Sequence, residues 1–511
     1  MNMKKIISLI LVVVVLLNVF MTTAFAVDYE RPFDSGVLGS KTFRIPALYT
    51  LNNGSVIAVA DKRYDSGLDS PANIDIGYAI SPDGYTDWEY DTLNSFNDYA
   101  DGVTSTKSAS FIDSAIVQSS SGRLFVISDA FPSGCGSDYA KKGTGFTEID
   151  GVNRMLLTSG NAKSKLRNFE YYIGDFEGDL APVYTLSTSE KTEYSIDCEY
   201  NIYKNGEPLY MSQKDNENVQ IQQNVYYTDA ELHCYYTAYI WLRYSDDNGA
   251  TWSNPVNISA FVKDSKEDFL GVCPGRGIVT NIDGTERIIF CVYDDRGGVQ
   301  NVSTIYSDDN GETWHRTGET KRRLGLVKNN ESQIVELNDG VLRMFSRNSS
   351  NYVSYADSFD GGITWTKFSA ETDLLAKGSC MSSFINTSKT IDGKKVILGS
   401  YPSNFLDRAD GVIRVGLVNE NNDIEWISTY NVTDGFYAYS CLTELSDGNI
   451  ALLYEDETYN INYMVLSLDD EGNMTEINGN NVETPTSTAW ERVATFFNSV
   501  LTKLLVFFKV L

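Results

Sequence analysis

An eight-residue repeat, Ser-x-Asp-x-Gly-x-Thr-Trp, limits the folds open to this chain more than any other feature of its sequence. Intact copies begin at Ser245, Ser307 and Ser358. In each copy the aspartate can accept hydrogen bonds from its own turn, the glycine tolerates a positive φ, and the tryptophan can pack between sheets. Repetition over roughly fifty to sixty residues is typical of a β-propeller, whose blades are four-stranded sheets. The repeat predicts architecture and carries no chemistry.

The segments between these turns are short apolar runs broken by Gly, Asn and Asp, and helical periodicity is largely lacking. This pattern indicates strands joined by hairpins. Degenerate copies of the repeat at Ser81–Trp88 and Ser467–Gly472 extend the pattern towards both ends of the chain. The sequence therefore predicts an all-β propeller from about Phe43 to Gly472.

The regular alternation of short apolar runs and turn residues is interrupted between Gly151 and Thr237. This stretch is too long for one connection inside a blade, yet it keeps strand-like pieces. We expect a small β-rich domain inserted into the propeller. The predicted boundaries are 27–150 for the first part of the propeller, 151–236 for the insertion and 237–477 for the remaining blades.

Both ends of the chain differ in composition from the propeller. Residues 1–26 have a basic start, an apolar middle and an Ala-x-Ala end, which is typical of a secretory signal peptide. A retained membrane anchor is the alternative, although the apolar run is short. We expect an exported protein, secreted or associated with the cell surface. A polar linker at 478–488 precedes a predicted amphipathic helix at 489–511, which could lie on a membrane surface or dock on the propeller or on another copy.

Charge and histidine content exclude several classes of protein. The formal net charge of −28 argues against nucleic acid, or an anionic membrane, as the main partner of the body. The two histidines, His233 and His315, form no His-Glu-x-x-His motif and leave little room for a Ser-His-Asp triad. No Cys-x-x-Cys pair exists among the seven cysteines. The sequence therefore indicates neither a metal site nor a cofactor.

An arginine motif, Phe43-Arg44-Ile45-Pro46, precedes the repeated aspartate turns. This combination resembles the bacterial exo-α-sialidases, and the resemblance covers roughly Phe43 to Glu471. It implies a six-bladed propeller that removes terminal sialic acid from glycans or glycoproteins, with retention. An acidic protein that binds an anionic sugar cannot rely on its overall field, so a local cluster of fixed cations is required.

The resemblance supplies that cluster as three arginines. Arg44 stands in the opening motif, Arg347 follows a strand-like run, and Arg408 precedes the strand that begins near Val412. In the family these positions bind the substrate carboxylate. Arginine suits this task because its planar fork of donors stays protonated and matches a carboxylate in two places.

The segment Asp61–Pro71 matches the stretch that carries the acid/base of the family. Asp69 is the matching residue, and Asp65 is the competing candidate. The resemblance implies that Asp69 protonates the leaving oxygen and later activates water. It also places Arg63 and Asp113 near the O4 side of the sugar.

The expected nucleophile is Tyr439, which stands before Ser-Cys-Leu-Thr-Glu-Leu as in the nucleophile segment of the family. Most retaining glycosidases use a carboxylate, but a carboxylate beside the carboxylate of the substrate would meet like charge. A neutral phenol avoids that repulsion and needs a base, for which Glu331 is the matching residue. Glu455 matches the glutamate that orients the first arginine.

The resemblance to the family is weaker in the loop at 131–146. Related enzymes often bind the N-acetyl group there with aromatic residues, and Tyr139 is the one obvious substitute in this chain. The segment Phe269–Gly277 resembles a stretch that borders the pocket. Hydrolysis by an exo-α-sialidase is the leading prediction. A trans-sialidase, intramolecular or not, would use the same residues. A non-catalytic sialic-acid-binding propeller would be expected to lack one of them, and none is missing.

Overall fold

The computed structural model describes residues 30–477, except 101, 104, 161–167, 296–299, 318–328, 377–379 and 405. Within these residues the prediction of an all-β fold is confirmed, because strands alternate with turns almost throughout. Helical structure there is limited to α1 (Ser259–Val262) and to short 3₁₀ turns at Val37–Gly39 and Asn338–Gly340. The predicted signal peptide, linker and C-terminal helix lie outside the described residues.

The strands form six blades in chain order, as the resemblance implies. Blade 1 contains β1 (Thr42–Thr50), β2 (Val56–Arg63), β3 (Ile74–Ser81) and β4 (Glu89–Asn94). Blade 2 begins with β5 (Ser110–Gln118) and β6 (Leu124–Phe131). An inner strand such as β2 is buried along its whole length, whereas β4 is largely exposed. Apolar packing between the blades therefore supplies the core.

The chain leaves blade 2 after β6 and returns to it much later. The intervening strands are β7 (Phe146–Ile149), β8 (Val152–Thr158), β9 (Tyr171–Ile173), β10 (Ala181–Thr185), β11 (Lys191–Ile196), β12 (Ile202–Lys204), β13 (Glu207–Pro208), β14 (Tyr210–Gln213), β15 (Asn216–Gln222) and β16 (His233–Cys234). Most of them form one sheet, and β14 pairs with β15 apart from it. Blade 2 is completed by β17 (Tyr239–Ser245) and β18 (Val256–Asn257). The domain boundaries given above stay predictions.

Blade 3 has a divided first strand. The pieces β19 (Phe269–Val272) and β21 (Ile278–Ile282) both pair with β22 (Thr285–Asp295), while β20 (Gly275–Arg276) between them pairs in parallel with β5. The blade continues with β23 (Gln300–Ser307) and β24 (His315–Arg316).

The last three blades are regular four-stranded sheets. Blade 4 contains β25 (Asn329–Glu336), β26 (Leu342–Asn348), β27 (Tyr352–Ser358) and β28 (Ser369–Leu375). Blade 5 contains β29 (Ser383–Ile391), β30 (Lys394–Pro402), β31 (Ala409–Val418) and β32 (Ile424–Phe436). Blade 6 contains β33 (Ser440–Glu444), β34 (Ile450–Glu455), β35 (Ile461–Leu468) and β36 (Met474–Glu476).

Each intact repeat forms the turn between the third and fourth strands of its blade. In the first copy Ser245 Oγ donates to Asp247, whose carboxylate accepts from the backbone N–H and the hydroxyl of Thr251 at 2.8 and 2.6 Å. Gly249 takes a φ of 89°, which a residue with a side chain rarely adopts. The same bonds recur in the other two copies. The repeat is therefore a turn module that lies away from the site described below.

The ring closes through direct contacts between blades 1 and 6. The backbone N–H of Thr50 in β1 donates to the hydroxyl of Thr443 in β33 at 3.1 Å. Trp88 packs edge-on against Tyr463 in β35. No helix within the described part of the chain is long and apolar enough to cross a membrane.

Candidate active site

A cavity of about 600 Å³ opens at one end of the propeller. Neighbouring strands in a blade run in opposite directions. In each blade the first strand therefore starts, and the second strand ends, at the same end of the propeller. The repeat turns, which follow the third strands, lie at the opposite end. The cavity is formed at the end where the first strands start. Seven of the nine residues singled out from the sequence line it: Arg44, Asp69, Asp113, Glu331, Arg347, Arg408 and Tyr439. The other two, Arg63 and Glu455, are fully buried against those that do.

Tyr439 and Glu331 form a short hydrogen bond at the floor of the cavity. Tyr439 Oη donates to Glu331 Oε1 at 2.6 Å, and Arg347 Nη1 donates to Glu331 Oε2 at 2.5 Å and to Tyr439 Oη at 3.0 Å. Burial and the adjacent Glu331 raise the pKa of Tyr439 well above its ordinary value, although Arg347 opposes them. The phenol is thus neutral at rest, and its proton points at a carboxylate.

All three predicted clamp arginines surround Tyr439. The guanidinium of Arg408 lies 5.4 Å from the centre of the tyrosine ring, and that of Arg44 lies 5.9 Å from it. Arg347 contacts the phenol oxygen directly. Burial lowers the pKa of Arg347, but Glu331, Tyr439 and Cys380 together outweigh burial and keep the pKa above the ordinary arginine value. The cavity therefore holds the fixed cations that an anionic substrate requires, in a protein of net charge −28.

Arg44 is held in place by Glu455. Nε and Nη2 of Arg44 donate to the two carboxylate oxygens at 3.1 Å each, and the backbone N–H of Ile45 adds a third bond at 2.8 Å. Burial lowers the pKa of Arg44, but Glu455 and Asp69 more than compensate for it. Its remaining nitrogen, Nη1, donates to Gly67 O at 2.9 Å and to Asp69 Oδ1 at 3.3 Å.

Asp69 lies in the connection between β2 and β3, with 68% of its side chain exposed. Its Oδ1 accepts from Arg63 Nη1 at 2.9 Å as well as from Arg44. Partial desolvation raises the pKa of Asp69, but Arg63 and Arg44 outweigh it and hold the pKa below its ordinary value. The competing candidate, Asp65, is buried and bonds the backbone N–H of Ser105 at 3.0 Å, and it is not among the described residues that line the cavity.

Three of the first strands bend where they deliver a site residue. Pairing shifts register next to Arg44 in β1, at Asp113 in β5 and around Glu331 in β25. Ile45 and Asp113 take φ values of 56° and 60°, a conformation costly for any residue with a side chain and rare for a β-branched one. Such bulges re-aim side chains. Here they turn side chains of inner strands into the cavity.

One wall of the cavity combines buried carboxyl groups with aromatic rings. Asp113 and Asp129 line it, and burial raises the pKa of both carboxyls well above the ordinary value, with Asp61 adding to the effect. The rings of Phe131 and Phe269 lie parallel, 6.2 Å apart, and Tyr293 packs beside Phe269. Aromatic rings therefore lie beside two buried carboxyl groups in this wall.

Sequence reasoning missed part of this wall. Tyr139, the aromatic residue expected from the loop at 131–146, is 57% exposed and is not among the described lining residues. The rings come instead from strand ends in blades 2 and 3. Asp129 also lines the wall. It directly follows the strand-like run Leu124–Ser128, and a carboxylate at the end of such a run was the one sequence signal that could have indicated it. Tyr459 also lines the cavity, and no sequence pattern indicated it.

Comparisons with known proteins identify relatives of this chain. A family model described as a BNR repeat-like domain matches residues 45–455. An anhydrosialidase from Macrobdella decora is 33% identical over 463 residues, covering 83% of this chain and 59% of the relative. Sialidase B from Streptococcus pneumoniae serotype 4 is 31% identical over 457 residues, covering 81% and 61% respectively. The chain thus spans about three fifths of the length of these curated relatives.

A solved structure is similar over nearly its whole length. The intramolecular trans-sialidase from Ruminococcus gnavus, crystallised with oseltamivir carboxylate, is 32% identical with a TM-score of 0.79. The similarity covers 87% of this chain and 98% of that one.

Fold, repeat and family model together define a six-bladed propeller protein of the BNR-repeat class. Within that class, the identity and coverage of its relatives show that the chain belongs to the sialidase family.

Proposed function

We propose that this chain is a glycosidase that releases terminal sialic acid from glycans or glycoproteins through a tyrosyl-enzyme intermediate. The observation that carries the proposal is the contact between Tyr439 Oη and Glu331 Oε1, 2.6 Å apart, in a cavity with three arginines. Arg44, Arg347 and Arg408 bind the carboxylate on the anomeric carbon. Hydrogen bonds to a charged group contribute about 1.5–3 kcal/mol each, so three converging guanidiniums orient the ring firmly.

In the first step, Tyr439 Oη forms a bond to the anomeric carbon while its proton passes to Glu331. The glycosidic bond breaks, and Asp69 protonates the departing oxygen. In the second step, Asp69 takes a proton from water, water attacks the anomeric carbon, and Glu331 returns the proton to the departing phenolate. Two displacements at one carbon retain its configuration.

A fluorogenic sialoside assay on the purified full chain tests the proposal. We expect turnover by the natural chain, and proton magnetic resonance of the first product should reveal the retained anomer. A chain that turns over no sialoside, or that releases the inverted anomer first, would refute the proposal.

A second candidate is intramolecular transfer, in which a hydroxyl of the sugar attacks instead of water and gives an anhydro product. The similarity to an anhydrosialidase and to an intramolecular trans-sialidase favours it. The acceptor alone separates the two reactions. Mass spectrometry of the product formed in water labelled with heavy oxygen distinguishes them, because hydrolysis incorporates the label and intramolecular transfer yields an unlabelled product lighter by one water.

A further inference from the structure

A second cavity, of about 510 Å³, opens at the end of the propeller opposite the candidate active site. The first strands finish there, and Tyr49 of β1, Glu336 of β25 and Thr390 of β29 line it at or next to their last residues. Within the described chain, its charged lining residues are three cations and one carboxylate: Arg276, Lys389, Lys395 and Glu336. This excess of positive charge favours an anion locally, although the chain as a whole carries a net charge of −28.

Arg276 crosses from β20 to blade 6 and is fixed along one edge. Its Nη1 donates to Leu442 O at 3.1 Å and to Thr443 Oγ1 at 3.4 Å. Its guanidinium lies 4.4 Å from the centre of the Tyr49 ring, which holds the plane of the group. No acceptor among the described residues contacts the other edge, formed by Nε and Nη2. Because Arg276 is partly exposed and lines the cavity, this edge is available to a ligand.

Three other arginines of the propeller stack on a tyrosine in the same way, but their corresponding edges are filled. Each guanidinium lies 4.2 or 4.3 Å from the ring centre, and its Nε and Nη2 donate to the two oxygens of one aspartate at 2.7–3.1 Å. The three sets are Arg123 with Tyr244 and Asp246, Arg287 with Tyr306 and Asp308, and Arg343 with Tyr355 and Asp357. Arg276 and Tyr49 form the stack without the aspartate. A carboxylate from outside the chain therefore matches the position that is open at Arg276.

The rest of the cavity indicates what such a carboxylate is attached to. Its volume is in the range typical of sites for small organic molecules. Apolar side chains form part of its lining: Ile278, Ile334, Phe384 and Ile385. An organic acid can cover these side chains and exclude water from them, whereas an inorganic ion cannot.

We propose that this second cavity binds a small organic carboxylate. The two carboxylate oxygens accept hydrogen bonds from Nε and Nη2 of Arg276, and the body of the ligand lies against the apolar lining. The site is at the other end of the propeller from Tyr439 and Glu331. It goes beyond the proposed function, because neither catalytic step uses it.

Uptake of 4-fluorobenzoate by the full chain, followed by fluorine magnetic resonance, tests the proposal. The arginines of the candidate active site also offer a carboxylate site, so the natural chain should bind two equivalents at saturation. Arg276→Gln should bind one, and the equivalent that remains shows that the variant is folded. Arg287→Gln is the matched control, because Arg287 stacks on Tyr306 but Asp308 already fills its Nε–Nη2 edge. It should keep both equivalents, and unchanged uptake by Arg276→Gln would overturn the proposal.

The same titration separates this proposal from the proposed function. If the natural chain binds one equivalent and Arg276→Gln loses it, the second cavity is supported and the arginine clamp of the active site is not. If Arg276→Gln keeps that equivalent, the second cavity is refuted.

Competition with inorganic phosphate tests the class of ligand. Phosphate should displace the equivalent that depends on Arg276 at least about tenfold less effectively than unlabelled benzoate, because it has no apolar body to bury. Equal potency of the two competitors would overturn the assignment to an organic carboxylate.

Lys395→Gln replaces Arg276→Gln if the latter does not fold. The side chain of Lys395 is 43% exposed, and its Nζ donates to Leu337 O at 2.7 Å, so its loss spares the core. Removing this charge should weaken binding in the second cavity about two- to fivefold and leave the active-site equivalent unchanged. Equal affinities in the variant and the natural chain would again overturn the proposal.

Discussion

Arg44 and Glu455 lie 411 residues apart in the chain and form a two-point ion pair with both distances at 3.1 Å. Arg44 belongs to the first strand of the propeller and Glu455 to the second strand of the last blade. The contact that closes the ring therefore also aims one of the arginines that line the cavity. Stability and substrate binding are linked through this pair.

Glu455→Gln should weaken both properties. The carboxylate is fully buried and Arg44 is 8% exposed, so the variant removes the buried counter-charge of Arg44 and leaves it only the exposed carboxylate of Asp69. We expect a loss of about 3 kcal/mol in the free energy of unfolding, near the lower end for a broken buried pair, together with a higher KM for sialosides. Urea unfolding and steady-state kinetics measure the two effects. Glu444→Gln, in the same blade but bonded at the surface to Ser388, should cost about 1 kcal/mol or less. Similar losses in the two variants would contradict the assignment.

Tyr439→Phe should abolish turnover while the fold persists. Removing Oη deletes the expected nucleophile and leaves Glu331 its contact with Arg347. We expect kcat to fall at least about a thousandfold, the size of effect that separates a lost nucleophile from a lost contact. Tyr437→Phe is the matched control. Tyr437 is fully buried two residues earlier and bonds Ser400, so that variant should lose about 1 kcal/mol of stability and no activity. Retained turnover in Tyr439→Phe would remove Tyr439 from the mechanism.

Motifs in the sequence predicted those features that depend on local chemistry. The aspartate turns could be recognised because Asp247 and Thr251 bond within one turn, a relationship visible at fixed spacing. Tyr439 and Glu331 could be singled out, but their distance depends on how blades 4 and 6 meet around the axis. The burial of Arg63 could not be seen, because a strand-end arginine looks the same in sequence whether it faces a loop or a ligand.

The bulges at Ile45 and Asp113 also could not be predicted from the sequence. A positive φ is rare for a β-branched residue such as Ile45 and uncommon even for aspartate, so no pattern of propensities predicts these bulges. Packing of neighbouring blades holds them there, and that packing involves residues far apart in the chain. The stacking of Phe131 on Phe269 likewise depends on how blades 2 and 3 meet, although the sequence singles out the segment that begins at Phe269 as a border of the pocket.

The repeat turns should make the fold sensitive to acid. Hydrogen bonds from Thr251 lower the pKa of Asp247 in the folded state. A carboxyl with a lowered folded pKa stabilises the fold fully above its unfolded pKa, about 3.9, and this stability is lost as pH falls through the folded pKa. Asp247→Asn should therefore be less stable than the natural chain at neutral pH and should show a flatter decline in unfolding midpoint below about pH 4. The neighbouring Asp246→Asn, which loses only a surface pair with Arg123, should keep the steep decline. Parallel curves for Asp247→Asn and the natural chain would refute this account.

Deprotonation of Asp69 should set the alkaline limb of the pH–rate profile. Asp69 faces Arg63, Arg44 and Arg408, and despite partial desolvation these cations hold its pKa below the ordinary value. As a general acid Asp69 must be protonated, so kcat/KM for sialyllactose, which reports the free protein, should fall as pH rises through that low pKa.

A bound substrate changes the surroundings of Asp69. Its carboxylate competes for Arg44 and adds negative charge, and both effects raise the pKa of Asp69. When the first step limits kcat on sialyllactose, the alkaline limb of kcat should therefore lie at higher pH than the limb of kcat/KM. A nitrophenyl sialoside, whose leaving group departs without protonation, should show a weaker limb, and Asp69→Asn none. Coincident limbs for kcat and kcat/KM would mean that the carboxylate does not compete with Asp69 for Arg44.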